Sequence, residues 1–158
     1  MRDPRVVRTR DGAFEIDIPA DQRDVLRSLP GQLRELLVDG GSADDAALRR
    51  LFPPADLEDA EHAAEYERLV HDDLLAQRNA AIDTMERTVD ADRLSEDELV
   101  GWLGAVNDLR LVLGTRLDVT EETTTGDFRE GDPRANAYAL YVYLSYLEEQ
   151  IVEALSEG

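Results

Sequence analysis

The stretch from Ser95 to Gly114 constrains the fold most, because it predicts a helix that is apolar over much of its circumference. It begins with SEDE at 95–98, a capping box that marks a helix start. At about 100° per residue, one side of the helix is densely apolar and neighbouring positions extend it. A helix of this kind is usually central, so we expect the other elements to pack around residues 96–114. The residues on the densest side are Leu99, Trp102, Leu103, Val106, Leu109 and Leu113.

Other segments also have the apolar periodicity of helices. They lie at about 21–38, 43–52, 57–89 and 133–155. Pro30 should bend the first of them or break it in two, because proline removes a backbone hydrogen bond. His71-Asp72-Asp73 indicates a kink or a new N-terminus within the third. Asp132 and Pro133 are a typical N-cap and first residue for the last helix. Together with the central helix, this predicts five or six helices.

Residues 5–18 have the pattern of a β-hairpin. Asp11-Gly12 is expected to supply the positive φ angles of a tight turn. After the turn, Phe14, Ile16 and Ile18 alternate with acidic residues, which makes one face of the strand apolar. Because a two-stranded hairpin is only marginally stable by itself, this face must lie on helices.

The whole chain, residues 1–158, has the length of one domain, and no linker interrupts it. We therefore expect a mainly α single domain in which the hairpin packs on a helical bundle at 20–156. Residues 117–131 are polar, lack periodicity and contain the sequence TEETTTGD. They predict an exposed acidic loop within that bundle.

The charge of the chain limits its partners. The formal net charge is −19, and residues 41–158 carry 10 Arg against 28 Asp and Glu. Such acidity repels a phosphate backbone, so nucleic-acid binding by the body of the domain is unfavourable. The same acidity suits a basic protein partner.

Several function classes are excluded by what the sequence lacks. Without cysteine there can be no disulfide, no thiolate metal site and no thiol-based redox switch within this chain. We find no signal peptide, and no apolar run approaches the roughly 18 residues that span a bilayer. The expectation is a cytoplasmic protein without membrane contact.

Catalytic and metal-binding patterns are also missing. The two histidines, His62 and His71, are nine positions apart and do not share the i, i+4 register of a zinc helix. The sequence contains no phosphate-binding glycine loop and no G-x-S-x-G. We therefore expect no enzyme activity, no metal and no cofactor.

Two arginines nevertheless fall among apolar residues on helix faces. Arg110 projects into the cluster of the central helix, and Arg78 occupies the same kind of position on its own helix. A buried guanidinium needs an acid or several carbonyls around it. We predict a buried polar network of Arg78, Arg110, Asn107 and Asp108. A small-ligand sensor or enzyme site built on the two arginines stays an alternative. The candidate acids for these arginines are Glu148, Glu149, Glu121 and Glu122.

The last predicted helix carries apolar and aromatic residues all around. This predicts a second packing surface, for another helix of the chain, a partner protein or a second copy in a homodimer. The exposed acids of the preceding loop would suit a basic partner. The partner-binding candidates are Glu121, Glu122, Asp127, Tyr138, Tyr141 and Tyr146.

The N-terminal ten residues are the one basic concentration, with four Arg against one Asp. Arg8 and Arg10 are expected on the same face of the hairpin, near Arg5. A direct DNA-binding regulator that uses these arginines is therefore a second alternative.

The strings NDLRLVLGTRL at 107–117 and DVTEE at 118–122, with Trp102 five residues upstream, resemble the signature of a known family. This is an actinobacterial family of oxidative-stress transcriptional regulators, AosR, formerly catalogued as a domain of unknown function. The resemblance covers most of the chain. Further matching strings are LPGQLRELL at 29–37, LFP at 51–53, AAEYERLVHDDL at 63–74 and DPRANAYALYVYLSYLEE at 132–149.

The resemblance implies a non-enzymatic regulator that contacts the transcription machinery, a sigma factor in particular, during oxidative stress. It also implies an association with sulfur metabolism. Redox sensing in the family is attributed to a cysteine pair, which this sequence lacks. The chain therefore either senses nothing itself or does so by other means.

Overall fold

The computed structural model of the protein describes residues 3–38, 60–120, 122–129 and 131–157. The described part is mainly α-helical with a small N-terminal antiparallel sheet, which confirms the predicted fold class. A single 3-10 turn, Thr125–Asp127, lies in the loop before the last helix. The elements are β1 Arg5–Arg8, β2 Phe14–Asp17, α1 Ala20–Val38, α2 Ala60–Thr88, β3 Arg93–Leu94, α3 Glu96–Arg116 and α4 Pro133–Ser156.

The hairpin forms as predicted, and a third strand extends it. The order is β1-β2-β3, with Val6 paired to Ile16 and Phe14 paired to Leu94. The predicted tight turn at Asp11-Gly12 is wrong in one respect. Gly12 has a φ of +84°, but Asp11 does not adopt a positive φ. The loop is wider than two residues, and the Thr9 amide donates to the Ala13 carbonyl at 2.8 Å.

The inner face of the sheet packs on the helices, and α3 lies in the centre of them. Phe14 and Leu94 are buried with Trp102, Leu99 and Val106 of α3 in one core. The indole Nε1 of Trp102 donates to the Thr88 hydroxyl at 2.8 Å, so this buried polar atom is satisfied. The central position of 96–114 is therefore as the sequence predicts, and the helix begins at the predicted capping box.

Neither of two predicted helix breaks occurs, and the bend or kink given as the alternative at each place stays a prediction. α1 runs from Ala20 to Val38 through Pro30, so it does not divide into two helices. One lost backbone bond is tolerated here because Leu26, Leu29 and Leu33 hold the helix on the core. α2 likewise continues through residues 71–73 without a new N-terminus. The predicted helix at 43–52 lies outside the described residues. No helix in the described ranges has the length and apolarity to cross a bilayer.

Changing Gly101 to Ala should destabilise the protein. A Cβ at Gly101 would lie 2.8 Å from Cγ2 and 3.0 Å from Cβ of Thr84, where α2 and α3 approach closely. Overpacking costs about 1–3 kcal/mol, which exceeds the gain of up to about 1 kcal/mol from alanine in a helix. Urea unfolding should therefore give a lower free energy of unfolding for Gly101→Ala.

The matched control is Gly31→Ala in α1, where a new Cβ would have no heavy atom within 4 Å. This variant should be as stable as the wild type or more stable, by up to about 1 kcal/mol. Equal effects of the two substitutions would contradict the close approach of α2 and α3 at Gly101.

Candidate functional site

Arg110 pairs with side chains of the last helix, α4. Its Nε donates to the Ser145 hydroxyl at 2.8 Å, and its Nη1 pairs with the Glu148 carboxylate. The guanidinium also lies 5.5 Å from the ring centroid of Tyr141. Glu148 is therefore the partner among the four acids considered from the sequence, and the ion pair ties α3 to α4.

Arg78 of α2 pairs with a carboxylate of α3. Its Nη1 lies 3.1 Å from Oδ1 and 3.3 Å from Oδ2 of Asp108, whose side chain is 2% exposed. On a helical wheel Asp108 points away from the apolar cluster, but it is buried because α2 covers that side. Burial raises the pKa of Asp108 to about 6, and the charge of Arg78 opposes this increase only in part.

The predicted polar network is therefore two separate ion pairs. Asp108 and Arg110 are two positions apart, which places them about 200° apart around α3. One faces α2 and the other faces α4. Asn107 is half-buried, and its side chain makes no hydrogen bond with the described residues. Each arginine thus pairs across the contact between the central helix and one neighbour.

A cleft of about 160 Å³ adjoins Arg110. It exists partly because Gly114 has no side chain opposite the ring of Tyr141. An anion that entered the cleft would compete with Glu148 for the same guanidinium, so the site has space but little uncompensated charge. Among the described residues, no group of three or more His, Asp or Glu side chains could hold a metal ion. The residues that line the cleft are Arg110, Leu111, Gly114, Thr115, Val119 and Tyr141.

Arg23, whose guanidinium makes five hydrogen bonds, was not singled out from the sequence. Arg23 of α1 is 9% exposed, and its guanidinium joins α1, β2 and the connection between α2 and β3. The signal was available, because Arg23 shares a helix face with Leu26 and Leu33, as Arg110 does with its neighbours. Its acceptors are the carbonyls of Ile16, Ile18, Val89 and Ala91 and the carboxylate of Asp92.

Tyr138, a predicted partner-binding residue, is covered by the chain's own loop. It is 9% exposed, its ring stacks on Phe128 at 4.9 Å, and its hydroxyl donates to the Thr123 carbonyl at 3.1 Å. The structure therefore removes Tyr138 from the exposed candidates. Tyr141 is half-buried in the cleft, whereas Tyr146 is 37% exposed.

The acids of the loop have different settings. Glu122 and Asp127 are exposed, and Asp127 accepts a hydrogen bond from the Thr124 amide at 2.8 Å. Glu121 lies outside the described residues. Exposure keeps Glu122 and Asp127 accessible to a partner, and their binding role stays a prediction.

The three basic candidates of the hairpin differ in exposure and contacts. Arg8 is half-exposed, donates to the Leu155 carbonyl at the end of α4 at 3.3 Å and lies 4.9 Å from the Phe14 ring centroid. Arg5 and Arg10 are exposed, and Arg5 is opposite Asp17 in the sheet. One nitrogen of Arg8 is thus engaged at a helix C-terminus, a favourable place for a cation.

Several known proteins are similar to this chain. AosR of Mycobacterium bovis, an oxidative stress regulator, is 29% identical over an alignment of 190 positions, which covers 94% of this chain and 85% of that protein. The AosR of Mycobacterium tuberculosis H37Rv has the same identity and coverage. A Mycobacterium leprae protein of the same name is 31% identical over 71% of this chain, which spans 59% of that protein.

No solved structure matches the chain. The model of a protein family described as Domain of unknown function (DUF2017) matches residues 1–155. Because this match covers nearly the whole sequence, the chain belongs to the DUF2017 family.

Proposed function

We propose that the chain is a non-enzymatic regulator of the oxidative stress response that contacts a basic surface of the transcription machinery, a sigma factor in particular. The observation that carries the proposal is the similarity to AosR regulators across 94% of the chain. The net charge of −19 supports protein contact over DNA contact, because it attracts basic surfaces and repels phosphate.

The arrangement of charges inside the protein supports a non-enzymatic role. Arg78 and Arg110 each pair with a carboxylate, and Arg23 is surrounded by acceptors. These groups hold helices together and leave little free chemistry for a substrate. Direct DNA binding through the hairpin has less support, because Arg8 contacts the end of α4.

Without cysteine, this chain cannot sense oxidants through a thiol. The described residues contain one oxidant-sensitive sulfur, that of Met85, and it is fully buried in the core. Peroxide treatment of the folded protein should therefore leave Met85 unmodified in peptide mass spectrometry. Treatment in concentrated urea should convert it to the sulfoxide. Rapid oxidation of Met85 in the native protein would contradict its burial.

The proposed function is tested with purified proteins. Each sigma factor of the host and the core RNA polymerase are immobilised separately, and binding is measured at low and at moderate salt. We expect one sigma factor to bind and its affinity to fall with salt, because the contact is charged. An unrelated protein of similar acidity is the control for non-specific attraction. Binding to none of these proteins at low salt would overturn the proposal.

A further inference from the structure

We propose that the outer face of α4, defined by Val142, Tyr146, Glu149, Val152 and Glu153, docks a basic amphipathic helix of a partner protein. This inference rests on the proposed function, since it names the surface and the partner chemistry that such a regulator would use. Tyr146 was a candidate from the sequence, and the structure adds its neighbours.

The outer face of α4 leaves apolar side chains in water on a helix that is otherwise anchored in the core. Val142 is 47% exposed, Val152 is 46% exposed and Tyr146 is 37% exposed. They are three of the seven large hydrophobic residues that are exposed in the described part of the chain. Their concentration on one helix favours an interaction surface. The buried residues of α4 that anchor it include Leu144, Leu147 and Ile151.

The spacing of these residues suits a second helix. Val142, Tyr146, Glu149 and Glu153 follow one another at intervals of four, three and four residues, so they form one stripe along α4. The apolar pair lies toward the N-terminal end and the acidic pair toward the C-terminal end. A helix that lies along the stripe would place apolar residues on the first pair and basic residues on the second.

The negative charge of this part of the chain favours a basic partner. From residue 135 to residue 158 the sequence has four Glu and no Arg, Lys or His. Glu148 forms an ion pair with Arg110. By contrast, Glu149 and Glu153 are exposed and make no ion pair with the described residues. A second copy would bring the same carboxylates together between two chains of charge −19 each. Repulsion therefore disfavours a homodimer through this face and favours a basic segment.

The test uses a synthetic helical peptide of about 18 residues with Leu along one face and Arg along the other, long enough to cover the stripe. Binding is measured by fluorescence anisotropy, and amide shifts in NMR spectra locate it. We expect the largest shifts within residues 142–153. The double variant Glu149→Arg/Glu153→Arg should lose at least about tenfold in affinity. A second variant, Val142→Ser/Tyr146→Ser, should also bind more weakly.

The control variant is Glu65→Arg/Asp72→Arg on α2, which makes the same change of net charge at two other exposed acids. It should lose less than about threefold in affinity, because only the long-range attraction changes. A peptide of the same composition with a scrambled order, and thus no apolar face, should bind more weakly than the amphipathic one. Circular dichroism spectra and melting temperatures check that each variant is folded.

Equal losses in the two charge-reversal variants would overturn the proposal, since they would show non-specific attraction. A dimer in sedimentation that Tyr146→Glu dissociates would also overturn it, in favour of a second copy. The two proposals fail separately. If a sigma factor binds and the α4 variants leave its affinity unchanged, only this surface is wrong. If the peptide binds at α4 and no transcription protein binds, only the proposed function is wrong.

Discussion

Replacing Arg23 with Met should lower the free energy of unfolding by about 3 kcal/mol or more, because each buried acceptor left without a donor costs about 1–3 kcal/mol. The guanidinium donates to four backbone carbonyls, at distances from 2.8 to 3.2 Å. Methionine fills similar space but leaves these acceptors without a donor. The ion pair with Asp92 contributes little to the cost, because that carboxylate is 93% exposed.

Arg27→Met is the matched control, on the same helix one turn later. Arg27 also pairs with two carboxylates, Asp24 and Asp90, but all three groups are exposed. Solvent replaces such pairs readily, so Arg27→Met should shift the urea midpoint far less. Arg23→Lys should be intermediate, since an ammonium reaches fewer of the acceptors. Similar midpoints for Arg23→Met and Arg27→Met would contradict the role assigned to Arg23.

Asp108 should make the wild type lose stability as the pH rises. Its pKa is about 6 in the folded protein against an ordinary value of 3.8, because burial disfavours the carboxylate. The folded protein therefore binds this proton more tightly than the unfolded chain does. The difference is worth about 3 kcal/mol, which is present below the ordinary pKa and is lost as the pH passes through about 6.

The Asp108→Asn variant cannot titrate at this position. Its free energy of unfolding should therefore rise relative to that of the wild type, mostly between about pH 4 and pH 7. Urea unfolding across this range at micromolar protein measures the difference. In Arg78→Met the pKa of Asp108 should be higher still, because the charge that lowers it is gone. A difference between the wild type and Asp108→Asn that does not change with pH would contradict the assignment.

Local signals predicted two helix starts and one strand correctly, whereas those at Pro30 and at residues 71–73 did not end a helix. The capping box at Ser95 and the Asp132-Pro133 start of α4 both form, because each is completed by atoms within one turn. The alternation of apolar and acidic residues at 14–18 correctly predicted a strand with one apolar face. The sequence also limited the candidate partners of Arg110 to four acids, one of which is Glu148. Only the antiparallel arrangement of α3 and α4 could choose among them.

The missed features depend on contacts between distant segments. β3 is only Arg93–Leu94, too short for any alternation, and it exists because β2 offers free backbone groups beside it. The burial of Asp108 depends on α2, which the wheel of α3 cannot include. From the sequence Tyr138 was a candidate for an exposed contact. Its burial depends on the position of the loop that contains Phe128, which the sequence does not give. In each case the side chain is local but its environment comes from another part of the chain.

The bond between Arg8 and the Leu155 carbonyl has a consequence for the order of folding. It joins residues 147 positions apart, and β1 packs on α4 around it. The hairpin precedes the helices in the chain, yet its apolar face has its full cover only when α4 is available. The native core is therefore completed only after α4 has been synthesised, and until then Val6 of β1 lacks part of its native cover.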